Sequence, residues 1–282
     1  MSRARLILLT ALTMAAFAGN SLLCRLALAH TAIDAATFTT VRLASGAAML
    51  WLLTQWRPVT SGSGGGRWLS GLALFAYAAC FSFAYISLPA GTGALLLFGA
   101  VQVTMVLHDL RSGKTPRMAQ AAGMALAAAG LVWLVLPGVS APPLLGSLLM
   151  LASGVAWGIY SLRGRGAGDP TRVTAGNFLR AVPFSIALSI AAAGALTLDP
   201  AGVAYALASG AITSAIGYVI WYSVLPSLSA TSAATVQLSV PVIAAFGGIV
   251  LLGENLTLRL VASSIAILGG IAMVIRDKGR GG

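Results

Sequence analysis

The sequence predicts an all-α integral membrane protein, with ten transmembrane helices arranged as two inverted five-helix repeats. Three observations carry this expectation. The 282-residue chain is 58% hydrophobic and only 8% charged, whereas a soluble domain carries roughly a quarter charged residues. Apolar runs of about 20 residues recur along its length, each enough to cross roughly 30 Å of hydrocarbon. The chain also matches itself at an offset of about 140 residues.

The first span is expected at 6–28. Arg3 and Arg5 ahead of Leu6 to Ala15, then Ala16-Phe17-Ala18, have the outline of a signal peptide. The apolar stretch runs on to Ala29, however, and has a counterpart from Gly146 to Arg163, so it reads as a retained helix. The second span, 35–54, ends at the glycine-rich stretch Arg57 to Arg67, which reads as a flexible loop. Spans 68–87 and 90–108 are split only by Pro89, which predicts a tight hairpin. The basic turn Arg111 to Arg117 precedes 118–136. The uncharged segment Pro137 to Pro143 then separates the first repeat, 1–137, from the second, 138–282. The second repeat holds spans at 144–162, 173–196, 202–223, 230–252 and 257–275. Its breaks are the basic segment Arg163 to Arg172, Asp199-Pro200, a second tight hairpin at Pro226, and Gly253-Glu254-Asn255.

The repeat is visible residue by residue. Arg25 and Arg42 correspond to Arg163 and Arg180 at a shift of 138, and Tyr85 and Pro89 to Tyr222 and Pro226 at 137. Gly113, Gly123 and Gly130 correspond to Gly253, Ser263 and Gly270 at 140. An odd number of spans per unit turns the second unit upside down, and the charges agree. With the N-terminus in the cytoplasm, 13 of the 17 Lys and Arg residues fall on inside segments, as the positive-inside rule requires. Both termini are then cytoplasmic. The basic turn with Arg111, Lys114 and Arg117 is inside, and its partner turn with Glu254 is outside. Inverted repeats are the architecture of secondary transporters, whose solute site lies at the repeat interface near the midplane.

Other classes fit poorly. The net charge of +11 comes from short clusters between apolar runs, with no basic face and no aromatic RNA-binding pattern, so no nucleic-acid partner is expected. Cys24 and Cys80 lie within apolar segments and form no metal-spaced set. There are no paired acids, the histidines His30 and His108 are far apart, and no phosphate-binding G-x-x-x-x-G-K-[ST] occurs. We therefore expect no enzyme activity, no metal and no cofactor.

Ten helices in two repeats, an Arg early in the second helix of each, and the turn Leu251-Leu252-Gly253-Glu254-Asn255-Leu256-Thr257 after Pro241 resemble the EamA-type drug/metabolite transporters. The first repeat departs from this turn, with Gly113-Lys114-Thr115-Pro116 in its place. Within that superfamily the chain most resembles the YddG-type amino-acid exporters of the bacterial inner membrane. The resemblance implies outward transport of amino acids, bulky neutral or aromatic ones above all. A small-molecule substrate, a lipid environment and monomeric action are expected.

Polar groups at membrane depth are expensive, so the candidates for solute contact are few. Asn20, Gln102 and Gln237 are deep amides; Gln237 stands four residues before Pro241, whose ring interrupts the helical ladder. Tyr77, Phe81 and Tyr85 share one face of the third helix, Trp157 and Tyr160 one of the sixth, and Tyr218, Trp221 and Tyr222 one of the eighth. Such stripes suit either a cavity for large apolar side chains or helix packing. Arg42 and Arg180 read either as structural ties or as a positive site facing a carboxylate, and Arg25 as structural. Trp51, Trp56, Trp68 and Trp133 read as interfacial anchors. All six acids fall in loops or at span edges, which points to facilitated export by alternating access rather than proton drive. Pro183, Pro241 and the glycine pairs are expected bending points. Proton-coupled antiport of other metabolites or drugs is the alternative.

Overall fold

The computed structural model describes residues 2–55, 65–111, 113, 117–138, 141–164, 169–228 and 236–278. Among them there are ten longer helices, a separate 3-10 turn at Ala193–Ala195, and no strand. In chain order they are α1 (Arg3–His30), α2 (Ala35–Gln55), α3 (Trp68–Tyr85), α4 (Ala90–Arg111), α5 (Met118–Val135), α6 (Leu144–Arg163), α7 (Pro170–Ala191), α8 (Pro200–Ser227), α9 (Ser239–Leu252) and α10 (Leu258–Lys278). All but α9 are long and apolar enough to cross a bilayer, and the chain is a multi-pass membrane protein. Its surface is what a soluble fold avoids: Ile7, Leu145, Leu179, Ile190, Phe246 and Ile265 are all exposed, which suits hydrocarbon rather than water. Trp51, Trp68 and Trp133 are exposed as anchors would be. Trp56, Lys114, Arg165 and residues 57–64 lie outside the described residues.

The acids that the sequence places at span edges start helices. Asp34 accepts the N–H of Thr37 at 2.9 Å, Asp169 that of Thr171 at 2.9 Å, and Asp199 that of Gly202 at 2.8 Å. Each carboxylate satisfies an amide that the first helical turn leaves unpaired. Pro170 and Pro200 follow two of these caps, where a missing N–H costs nothing. The second oxygen of Asp34 accepts the Thr197 N–H at 3.0 Å and so ties the α1–α2 turn to the α7–α8 turn.

The α3–α4 connection is the tight hairpin expected, with only 86–89 between the helices. The other hairpin falls partly on 229–235, outside the described residues. There the structure differs from the expected span 230–252. Val236 and Gln237 are helical, Leu238 is a turn, and α9 starts only at Ser239. The reason is Pro241, which has no N–H to give and whose ring crowds the carbonyl four residues back, so it sits in the first turn of a new helix. The expected continuous span 202–223 is also modified. α8 contains a π-helical stretch, Ala208–Ile216, a form that is rare and concentrated at functional sites.

Small residues set the helix contacts. α5 packs along α10, and the contact is reciprocal: a Cβ on Gly123 would meet the carbonyl of Gly270 at 2.6 Å, and one on Gly270 the carbonyl of Gly123 at 2.4 Å. Further contacts run between α3 and α6, α1 and α8, α2 and α7, and α4 and α9. These leave α1, α3, α4, α6 and α8 around a common centre.

Candidate functional site

A small cavity lies at that centre. It is lined by Phe17, Asn20 and Ser21 of α1, Tyr77 and Phe81 of α3, Leu97 and Phe98 of α4, Trp157 of α6, Thr213, Ser214 and Tyr218 of α8, and Gln237. Its volume is about 30 Å³, room for about two waters at ~10–15 Å³ of probe space each, and too little for an amino acid. The rings interlock: Trp157 lies 4.8 Å from Tyr77 and 5.3 Å from Tyr218, and Phe17 meets Tyr218 edge-on at 5.8 Å. Aromatic faces make such a wall both apolar and able to hold a cation or a planar group.

One polar network crosses this wall. Ser209 donates to Asn20 Oδ1 at 2.6 Å, and Asn20 Nδ2 donates to the Tyr77 hydroxyl oxygen at 3.2 Å. Arg42 Nη2 donates to the same oxygen at 3.0 Å. Arg42 is 2% exposed; its guanidinium lies 5.2 Å from the Tyr77 ring centre and 4.9 Å from that of Phe81. Its Nε and Nη1 have no hydrogen-bond partner among the described residues, and the same holds for the Ser214 hydroxyl. The π stretch of α8 brings Ser209, Thr213 and Ser214 to this place, and it can do so because Gly210 presses on α2. A Cβ there would stand 2.1 Å from both the Arg42 carbonyl and Ser45 Oγ.

Of the residues singled out in the sequence, Asn20, Tyr77, Phe81, Trp157, Tyr218 and Gln237 line the cavity. The others stand elsewhere. Tyr85 donates to the Ala90 carbonyl at 3.2 Å in the α3–α4 hairpin. Tyr160 stacks on Trp157 at 5.3 Å, and its hydroxyl faces Asn177 Nδ2 at 3.5 Å. Trp221 packs against Phe17 and Tyr222 against the same core. Gln102 faces a separate apolar pocket of about 170 Å³ between α4, α5 and α10. Arg180 donates to the carbonyls of Gly65 and Gly176 and lies over the Trp68 ring. Arg42 and Arg180, equivalent in sequence, thus occupy different surroundings. Sequence reasoning missed Phe17, Ser21, Leu97, Phe98, Thr213 and Ser214. The first two lie on the same face of α1 as Asn20 by helical spacing, which is the signal that could have found them.

At the end of the bundle where α1, α3 and α9 finish, Glu254 ties the helices together. Its carboxylate accepts the Ala90 N–H with both oxygens, at 3.0 and 2.8 Å, and pairs with Arg25 Nε at 3.3 Å. Arg25 Nη1 also donates to the carbonyls of Tyr85 and Ile86 at 2.9 Å. Gly253 makes this geometry accessible: its φ of 65° ends α9 in the left-handed region, which favours glycine. At the same end, burial acts to raise the Asp34 carboxyl, but hydrogen bonds from Thr37, Thr197 and Ala36 outweigh it and hold the group below its ordinary value.

Residues 144–276 match the sequence profile of the EamA-like transporter family. The chain is 57% identical over 276 residues to an uncharacterised protein of Pseudomonas aeruginosa, covering 97% of this chain and 96% of that one. It is 29% identical over 278 residues to an uncharacterised transporter of Archaeoglobus fulgidus, covering 94% and 95%. Against the threonine/homoserine exporter RhtA of Salmonella typhimurium it is 31% identical over 165 residues, 54% of either chain. A solved crystal structure superposes with a TM-score of 0.69 over 99% of both chains at 20% identity, a likeness of fold alone.

Proposed function

We propose that the chain, whose residues 144–276 match the EamA-like transporter family, is a secondary transporter of that family that exports neutral amino acids through the central cavity. The observation that carries this reading is the central, aromatic-walled cavity with amides at Asn20 and Gln237. A ring-lined wall favours bulky side chains, and the amides suit the α-amino and carboxyl groups. Similarity to a threonine/homoserine exporter over about half of the chain supports an amino-acid cargo and favours a second reading, in which the cargo is small and polar.

In this mechanism the two halves, 1–137 and 138–282, are inverted repeats that rock against each other. With both termini in the cytoplasm, the Glu254 contacts seal the outer mouth of a bacterial inner-membrane protein. Solute loads from inside, the latch opens, and release follows down the concentration gradient without a titrating membrane carboxylate.

The test is counterflow in proteoliposomes of the purified full chain, preloaded with unlabelled threonine, homoserine, methionine, phenylalanine or tryptophan, with and without a proton gradient. Saturable exchange of labelled amino acid without any gradient is expected, stronger for the larger side chains. Exchange of threonine and homoserine alone would select the second reading. Exchange only with a gradient overturns the uncoupled mechanism, and exchange of none of the five overturns the cargo.

A further inference from the structure

We propose that the cavity requires an anionic group on its solute, and that Arg42 supplies the charge that selects it; this rests on reading the cavity as the transport site, not on which amino acid is carried. The first observation is an unbalanced cation. Arg42 is buried, and no carboxylate among the described residues lies within ion-pair distance of it. Burial of a lone charge is unfavourable unless something compensates it. The rings of Tyr77 and Phe81 do so only in part.

The second observation is the unused donor capacity beside the cavity. Arg42 Nε and Nη1 and the Ser214 hydroxyl have no partner among the described residues, and Ser214 lines the cavity. The Tyr77 hydroxyl oxygen already receives two hydrogen bonds, from Arg42 and Asn20. Its own proton is then the part left to donate, and Tyr77 also lines the cavity. A phenol that accepts from a guanidinium is polarised as a donor. Tyr77 and Ser214 therefore present donors to a solute, with a positive charge directly behind one of them. That arrangement fits a carboxylate and opposes an ammonium group standing alone. In the amino-acid reading, the carboxylate lies toward Tyr77 and Ser214, and the ammonium toward the Trp157 and Tyr218 faces or Gln237.

The experiment compares acids with their uncharged or cationic analogues on the wild-type protein. Binding to purified full-length protein is measured calorimetrically for phenylalanine, 3-phenylpropionate, phenethylamine and phenylalaninamide, and likewise for threonine and threoninol. Each is also tested as a competitor in counterflow. The two acids of the phenyl series, and threonine in its pair, are expected to bind at least tenfold more tightly than the forms lacking a carboxylate. Arg42→Gln should abolish that preference, and Arg42→Lys should keep part of it; if either variant fails to fold, the wild-type comparison decides alone. Equal binding of acids and amines overturns the proposal, even if phenylalanine is exchanged and the amino-acid reading stands. A preference for acids without exchange of any amino acid upholds the anion requirement while removing that cargo. Binding of no member of either series overturns it as well.

Discussion

Replacing Glu254 with alanine should open the mouth of the bundle where α1, α3 and α9 end. Three contacts disappear together. The carboxylate caps α4 through the Ala90 N–H, and loss of such a cap costs about 1 kcal/mol. A negative charge at that helix start adds ~0.3–1 kcal/mol. The Arg25 pair, whose side chains are 19% and 13% exposed, adds up to about 1 kcal/mol. A total near 2 kcal/mol corresponds to a roughly 30-fold shift toward the open form at about 1.4 kcal/mol per decade. Cys24 reports the change: it follows the cavity-facing turn of α1, adjoins Arg25, and is 0% exposed. In a Cys80→Ala background, its rate of modification by a membrane-impermeant maleimide should rise by one to two orders of magnitude. Glu254→Gln should give a smaller rise, because an amide still accepts the Ala90 N–H. A folded Glu254→Ala protein whose Cys24 reacts at the wild-type rate from both faces of the membrane would refute the latch.

Two further outcomes follow from contacts elsewhere. Gly210→Val should lower the melting temperature of detergent-solubilised protein and weaken exchange. Its side chain would collide with the Arg42 carbonyl and Ser45 Oγ, and overpacking of this kind costs ~1–3 kcal/mol; an unchanged melt would show that α2 and α8 separate freely. Asp34→Asn should destabilise the protein at neutral pH by ~0.3–1 kcal/mol, because the amide oxygen still caps the helix but the charge at its start is lost. The Asp34 carboxyl is held below its ordinary value, so its contribution is complete above the unfolded carboxylate range and lost as pH falls through the lower folded value. The gap in melting temperature between wild type and variant should thus be constant from pH 5 to 8 and close in stronger acid; a gap that widens in acid would contradict the sign.

The helices were legible because a bilayer leaves the chain few choices. A span must be long, apolar and internally hydrogen-bonded, and the acids and prolines at 34, 169–170 and 199–200 mark where spans begin. The break before α9 was legible only as chemistry. Pro241 announces an interrupted ladder, but not that the interruption falls at Leu238. The π stretch of α8 was hidden, because it depends on Gly210 meeting the backbone of α2 and on Ser209 meeting Asn20. The aromatic stripes were half legible. Spacing places Tyr77, Phe81 and Tyr85 on one face of α3, but that face runs from the cavity to the hairpin, where Tyr85 turns to the Ala90 carbonyl. On α4 the cavity is met by Leu97 and Phe98, whereas Gln102 points to α5 and α10. A polar residue in an apolar span signals that it faces protein, not which side of its helix does so. Repeat symmetry misled in the same way for Arg42 and Arg180. Equivalent positions in a duplicated chain need not keep equivalent neighbours once the two copies diverge.

The α5–α10 pair contributes no side chain to the cavity wall, although it ends both halves and is joined through Gly123 and Gly270. It works as a keel: the part that fixes the shape of the hull is separate from the hold that receives cargo. Sequence drift among the cavity rings can then change what is carried while the keel stays the same. A lineage built on this plan can diversify its cargo without solving the folding problem again.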